Sequence, residues 1–286
     1  MAPVTSRSDI LTAAATPTDP PARRPLAARI MSNPVIGFAP WILLSILEGP
    51  GRLQWAVGAV LALSVAFVVV DRLLGNRTKL LGVVDVVSFT AFLVLALTAS
   101  PSVLRWLETW FGELTNVLLV LVVLGSILAR TPFTIQYAKE ETDPEVWNTP
   151  TFRHINYTIT AVWGGAFLVA AIAGFVGDAV LHDNDNLWTG WIFQIGASLI
   201  ALQFTTWYPE HATAVRLRAA GVPTEPPAPL TELFLPIVGY LVPIGVIVLV
   251  FGGGPTWLGI ALLVVGLLGT ARIRAYDRAR KLSAGS

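Results

Sequence analysis

The 286-residue chain has no cysteine, three histidines and two methionines, and only 13% of its residues are charged. Without cysteine there is no disulfide, no thiolate nucleophile, no iron–sulfur site and no Cys-type zinc site. The scarcity of charge excludes more. A water-soluble domain usually carries about 25% charged residues, whereas this chain is 54% apolar with a mean hydropathy of +0.67. That composition excludes disorder of the whole chain and describes an integral membrane protein. A net charge of +1 gives no pull toward nucleic acid, and none is expected as a partner. No lysine lies within an apolar run, which excludes a retinal Schiff base. His154, His182 and His211 do not have a metal-ligand spacing. Neither a P-loop nor a G-x-S-x-G pattern occurs. No cofactor or metal is expected.

What the chain does have is a series of apolar runs, at 34–49, 53–73, 80–98, 114–129, 155–177, 187–207, 231–251 and 255–271. A helix needs roughly 20 predominantly apolar residues to cross the hydrocarbon core, and the last seven runs meet that need. The first is short and carries Pro34 and Pro40, so a tilted or re-entrant course is open to it. Residues 101–112 read as an interfacial amphipathic stretch, with Trp106 and Trp110 at helical spacing. With eight crossings and the N-terminus inside, every Lys and Arg except Arg52 and Arg105 falls on the cytoplasmic side. One false span would reverse that bias downstream of it. The outer side collects Asp178, Asp183 and Asp185, and Trp55, Trp106, Trp110, Trp188, Trp191 and Trp257 lie near its interface.

The expected fold is therefore all-α: a polytopic helical membrane protein of about eight transmembrane helices, a six-helix block plus a C-terminal helical hairpin. Its expected place is the inner or plasma membrane of the cell, with both termini cytoplasmic. Residues 1–30, rich in Pro, Ala, Ser and Thr, read as a disordered cytoplasmic tail. Arg23-Arg24 is not read as an export signal, because no small-residue cleavage site follows it. The six-helix block is 31–212, a proline-rich cytoplasmic connector 213–229, the hairpin 230–271 and a basic cytoplasmic tail 272–286. The hairpin is expected to turn at Phe251-Gly-Gly-Gly-Pro255.

Ionisable groups inside a bilayer are costly and are candidate functional groups. Asp85 lies about one and a half turns into the third span, in reach of Arg77 or Lys79 as partners. Glu48, Glu113 and Asp178 stand at span ends, where a solvated charge at headgroup level is the expectation. Asn156, Gln194 and Gln203 belong to neighbouring spans and are candidates, with Asp85, for lining a polar path. Their plainer role is interhelical hydrogen bonding, worth about 1 kcal/mol each. The stripe Ala166-x3-Ala170-x3-Gly174 admits a close helix, either internal or from a second copy of the chain.

The loop between the fourth and fifth spans, with the start of the span after it, is the most distinctive segment: RTPFTIQYAKEETDPEVWNTPTFRHINYTITAVW. A connector needs only a few residues. This one carries Glu140, Glu141, Asp143, Glu145 and Trp147 on an ordered cytoplasmic platform, which reads equally as an interfacial helix or as a candidate interaction surface for a cytoplasmic or membrane partner. Pro132-x3-Gln136, Glu140-Glu141, Pro144-x2-Trp147, Asn156, and Trp163 followed by Gly-Gly-Ala-Phe167 resemble the central loop and following helix of the intracellular septation protein A family. The likeness extends more loosely over residues 35–212. The hairpin and the N-terminal tail lie outside the family pattern.

The resemblance implies a bacterial inner-membrane protein that acts in envelope maintenance and septation through contacts with other membrane morphogenesis proteins. It supplies no catalytic residues. The expected function is thus non-enzymatic and interaction-based. The alternative is a transporter or channel for a small solute, ion or lipid, with Asp85, Asn156, Gln194 and Gln203 along its path. An intramembrane enzyme would need a clustered acid and base, which the sequence does not display.

Overall fold

A computed structural model describes residues 31, 34–49, 51–183, 186–252 and 254–284. The tail 1–30 and Asp185 of the acidic outer loop lie outside the described residues. The chain runs through α1 (Pro34–Leu47), α2 (Leu53–Leu73), α3 (Leu80–Thr98), α4 (Pro101–Leu128), α5 (Thr134–Glu141), α6 (Pro150–Phe175), α7 (Phe193–Ala219), α8 (Leu230–Phe251) and α9 (Thr256–Ala284). Wider π turns extend α6 over Val176–Leu181 and lead into α7 over Leu187–Ile192. No strand occurs among the described residues.

Seven of these helices are long and apolar enough to cross a membrane: α2, α3, α4, α6, α7, α8 and α9. The protein is a multi-pass helical membrane protein. The eighth apolar helix, α1, has 14 residues, about 21 Å at 1.5 Å per residue, and Pro40 lies inside it without ending it. The interfacial stretch 101–112 is the first part of α4, one continuous helix of 28 residues. Pro101 stands in its first turn, where a missing N–H costs nothing. Helix α6 begins five residues before its apolar run, at Pro150. The Thr149 side chain caps it by accepting from the Phe152 N–H at 3.2 Å.

Apolar side chains gain little by leaving lipid for a protein interior, so close packing and polar bonds decide which helices meet. Phe38 of α1 stacks on Trp163 of α6 at 4.6 Å and meets Phe133 edge-on at 5.6 Å. Trp41 lies 4.5 Å from Phe89 of α3. The stripe on α6 receives an internal neighbour. Ala166 and Ala170 are buried, and a methyl group at Gly174 would collide with the Glu113 carboxylate of α4. Trp163 donates from Nε1 to Thr205 Oγ1 of α7 at 3.0 Å.

The buried apolar core runs from Phe38 to Ala212 and includes no described residue of α8 or α9. Those two helices form their own hairpin. A Cβ at Gly245 would stand 2.8 Å from the Gly259 carbonyl oxygen, so the two backbones approach closely there. The turn begins at Gly252, whose φ of +71° suits glycine. The connector folds back along α7: Trp207 donates to the Pro229 carbonyl at 3.1 Å, and His211 lies 2.8 Å from the Ala228 carbonyl. Helix α7 itself continues to Ala219, past the expected start of the connector. Trp55, Trp106, Trp191 and Trp257 are exposed at the opposite end of the helices from Arg72, Arg77 and Arg130.

Candidate functional site

The densest polar cluster lies at the basic end of the bundle, where α5 closes over α1, α2 and α3. Helix α5 is amphipathic. Phe133, Thr134 and Tyr137 face inward and are buried, whereas Lys139 and Glu141 are exposed. Thr134 Oγ1 donates to the Asn156 carbonyl at 3.0 Å and lies 2.9 Å from Thr160 Oγ1, which pins α5 to α6. Gln136 Oε1 accepts from the Leu80 N–H at 2.5 Å and so caps α3 from outside.

Lys79 sits at the centre, 5% exposed. An ammonium has three hydrogens to donate, and three acceptors surround this one. The Met31 carbonyl lies at 2.6 Å, Asp71 Oδ1 at 3.2 Å and Glu140 Oε2 at 3.2 Å. The Tyr137 ring lies 5.0 Å from the same nitrogen. Asp71 ends α2, where a carboxylate opposes the helix dipole. Lys79 and the Asn76 amide, at 3.2 Å, offset that. Burial lifts the Glu140 carboxyl above the usual carboxylate range, against the pull of Lys79. Gly37 makes the closure possible, since a methyl group there would strike the Tyr137 hydroxyl and lie 3.0 Å from Leu81 Cδ1.

Asp85 is 2% exposed on α3, about one and a half turns into the helix from Lys79. Its hydrogen-bond partner is neither Arg77 nor Lys79 but Trp41 of α1, whose Nε1 donates to Oδ1 at 2.6 Å. A cavity of about 30 Å³ lies between Asp85 and the Lys79–Asp71 pair, walled by Gly37, Asp71, Lys79, Gly82, Asp85 and Tyr137. That space is large enough for a water molecule.

The remaining polar candidates have separate partners. Asn156 donates to the Phe152 carbonyl at 2.9 Å on its own helix. Gln194 accepts from Asn116 at 3.3 Å and donates to the Thr189 carbonyl at 3.0 Å. Gln203 donates to the Glu232 carbonyl at 3.2 Å and ties α7 to the hairpin. Among the described residues no hydrogen bond joins any two of Asp85, Asn156, Gln194 and Gln203.

The loop candidates divide in the same way. Glu140 belongs to the Lys79 cluster, whereas Glu141, Asp143 and Glu145 are exposed. Trp147 folds back over the loop. Its Nε1 donates to the Thr142 carbonyl and hydroxyl, both at 3.2 Å, and Lys139 Nζ lies 5.0 Å from its ring. It braces the platform.

Sequence reasoning missed the gathering of Met31, Trp41, Asp71 and Tyr137 around Lys79 and Asp85, because the contacts span 8 to 58 residues. The signal within reach was Lys79 itself, a lysine next to two spans. A second gathering lies at the far end. Glu113 lies near Asp178 and Glu48, and Glu48 Oε2 and Glu113 Oε2 are buried with no hydrogen-bond partner among the described residues. No set of three His, Cys, Asp or Glu side chains among the described residues is arranged to hold a metal ion. No family model, curated protein or solved structure matches the chain.

Proposed function

We propose that the chain is a non-enzymatic membrane protein that acts in cell-envelope maintenance and septation, through contacts made at the loop between α4 and α6. The observation that supports this reading is the way the loop is held. Phe133, Tyr137 and Glu140 are engaged inward, Trp147 braces it, and Glu141, Asp143 and Glu145 stand exposed along one edge. Anionic headgroups repel such an edge, so it favours a basic surface on a neighbouring protein over the lipid. The septation role rests on the resemblance in the loop motif.

In this reading the membrane is the cell membrane, the basic face is cytoplasmic and α1 is an eighth crossing. Support for α1 comes from the contacts at its two ends. Met31, ahead of it, meets Lys79 on the basic face, while Glu48, behind it, lies against Gly112 of α4. Both chain ends then lie in the cytoplasm.

The test is complementation of a deletion strain, with cell length, width and septum position scored by microscopy. The intact chain restores normal cells. The variant carrying Glu141→Lys, Asp143→Lys and Glu145→Lys inserts at the same level and does not. Normal morphology in the deletion strain, or full rescue by the triple variant, sinks the reading.

A further inference from the structure

Asp85 is not accounted for by packing. It is 2% exposed, and it accepts one hydrogen bond, from the neutral indole of Trp41 to Oδ1. Its second carboxylate oxygen has no hydrogen-bond partner among the described residues, and the residue forms part of the cavity wall. The titratable groups facing it are Asp71 at the end of α2, Lys79 ahead of α3, and Tyr137 and Glu140 on α5. Helix α1 adds only the Trp41 indole, and Met31 ahead of it adds its carbonyl.

The charges in this group do not balance. Three carboxyls, Asp71, Asp85 and Glu140, surround one ammonium, and the hydrogens of Lys79 are already directed at Met31, Asp71 and Glu140. Nothing cationic remains for Asp85 among the described residues. An ionised carboxylate this deeply buried, with one neutral donor and no cation directed at it, is poorly compensated. A metal ion is a poor remedy, because the Lys79 ammonium forms part of the same cavity wall. A proton is the smallest cation that neutralises Asp85, the one carboxyl of the three without a share of Lys79, and the cavity admits the water needed to deliver it. Tyr137 does not compete for that proton as a base. Burial, then the carboxyls of Asp85, Asp71 and Glu140, push its phenol far up, so it stays a neutral donor.

We propose that Asp85 and the cavity beneath α5 form a proton-binding site, loaded from the basic face through the water-sized space beside the Lys79–Asp71 pair. The transferred proton comes from a hydronium ion in that space and forms an O–H bond at Oδ2. Trp41 continues to donate to Oδ1, and the hydronium is left as water. Release reverses the same steps. The site stands whether or not the outer edge of the loop docks a protein.

Infrared difference spectroscopy tests it on the full chain in lipid vesicles, with spectra recorded at acid and alkaline pH. The carbonyl stretch of a protonated carboxylic acid in the acid spectrum is expected to lose one component in Asp85→Asn. Trp41→Phe is expected to keep that component and move it to higher frequency, because a hydrogen bond to the carbonyl oxygen weakens the C=O bond. An Asp85→Asn spectrum identical to that of the intact chain, in protein of unchanged helicity, overturns the proposal. If Asp85→Asn does not insert, a carboxylic-acid band left unmoved by Trp41→Phe overturns it equally.

Discussion

At the scale of single residues, Lys79 carries the largest energetic consequence. Removing one partner of a buried ion pair leaves the other charge uncompensated, at about 3–5 kcal/mol. Lys79→Ala leaves two carboxylates, on Asp71 and Glu140, facing each other across the vacated space. It is expected to lower the unfolding free energy in detergent micelles by about that amount, whereas Arg77→Ala, at an exposed position, changes it little. Equal losses for the two variants contradict the central placement of Lys79.

Glu140 adds a dependence on pH. Burial lifts its carboxyl, so the folded chain keeps this proton at pH values where the unfolded chain has released it. The contribution to stability falls as pH rises from about 4.3, the ordinary glutamate value, through the higher folded value. The stability of Glu140→Gln minus that of the intact chain should therefore increase with pH across that window. A flat difference in equilibrium unfolding contradicts the assignment. Little of this was legible beforehand. Glu140 stands in a run of acidic residues that read together as one interaction surface, and nothing local sets it apart from Glu141. The distinction comes from helix phase: with Phe133 and Tyr137 facing inward, Glu140 falls over Lys79 and Glu141 falls outward.

At the scale of elements, the apolar runs located the helices well, because a 20-residue apolar run in a bilayer has few alternatives to a helix. Their ends were harder to place. Helix α4 begins at Pro101 and not at 114, since an amphipathic turn and a spanning turn share one helical geometry. The sequence stripe on α6 left its neighbour open, and the Glu113 side chain over Gly174 shows that the neighbour is α4.

The hairpin of α8 and α9 gives a matched pair of tests. A Cβ at Gly245 meets backbone atoms of α9, the Gly259 carbonyl at 2.8 Å and the Leu263 nitrogen at 2.9 Å, whereas nothing lies within 4 Å of one at Gly239. Backbone cannot swing aside as a side chain does. Gly245→Ala should therefore cost about 1–3 kcal/mol through overpacking. Gly239→Ala should be neutral or stabilising, by up to about 1 kcal/mol from helix propensity. Thermal unfolding of both variants decides it, and a loss for Gly239→Ala as large as that for Gly245→Ala contradicts the close approach.

At the scale of the whole molecule, a bundle built on α1 to α7 carries a polar cluster under α5 at its basic end, and a separate hairpin is tied to α7 through Gln203, with its connector held along α7 by Trp207 and His211. Composition was enough to give the membrane class, because 13% charge leaves too little polar surface for water. The site was only partly legible. Asp85 stood out because a charge within a span is rare, but its partner on α1 lies 44 residues away, beyond any local pattern. The central proposal is that the loop between α4 and α6 is held on the cytoplasmic face by a chain that crosses the membrane eight times. The absence of cysteine allows a direct test, because each introduced thiol is the only one present. Asp143→Cys and Glu225→Cys, together with a tag ahead of Met1, should react with impermeant reagents only in inverted vesicles, and Ser100→Cys and Thr256→Cys only in intact cells. Labelling of Asp143→Cys from the same side as Ser100→Cys, or of the tag from the side opposite Asp143→Cys, contradicts the account.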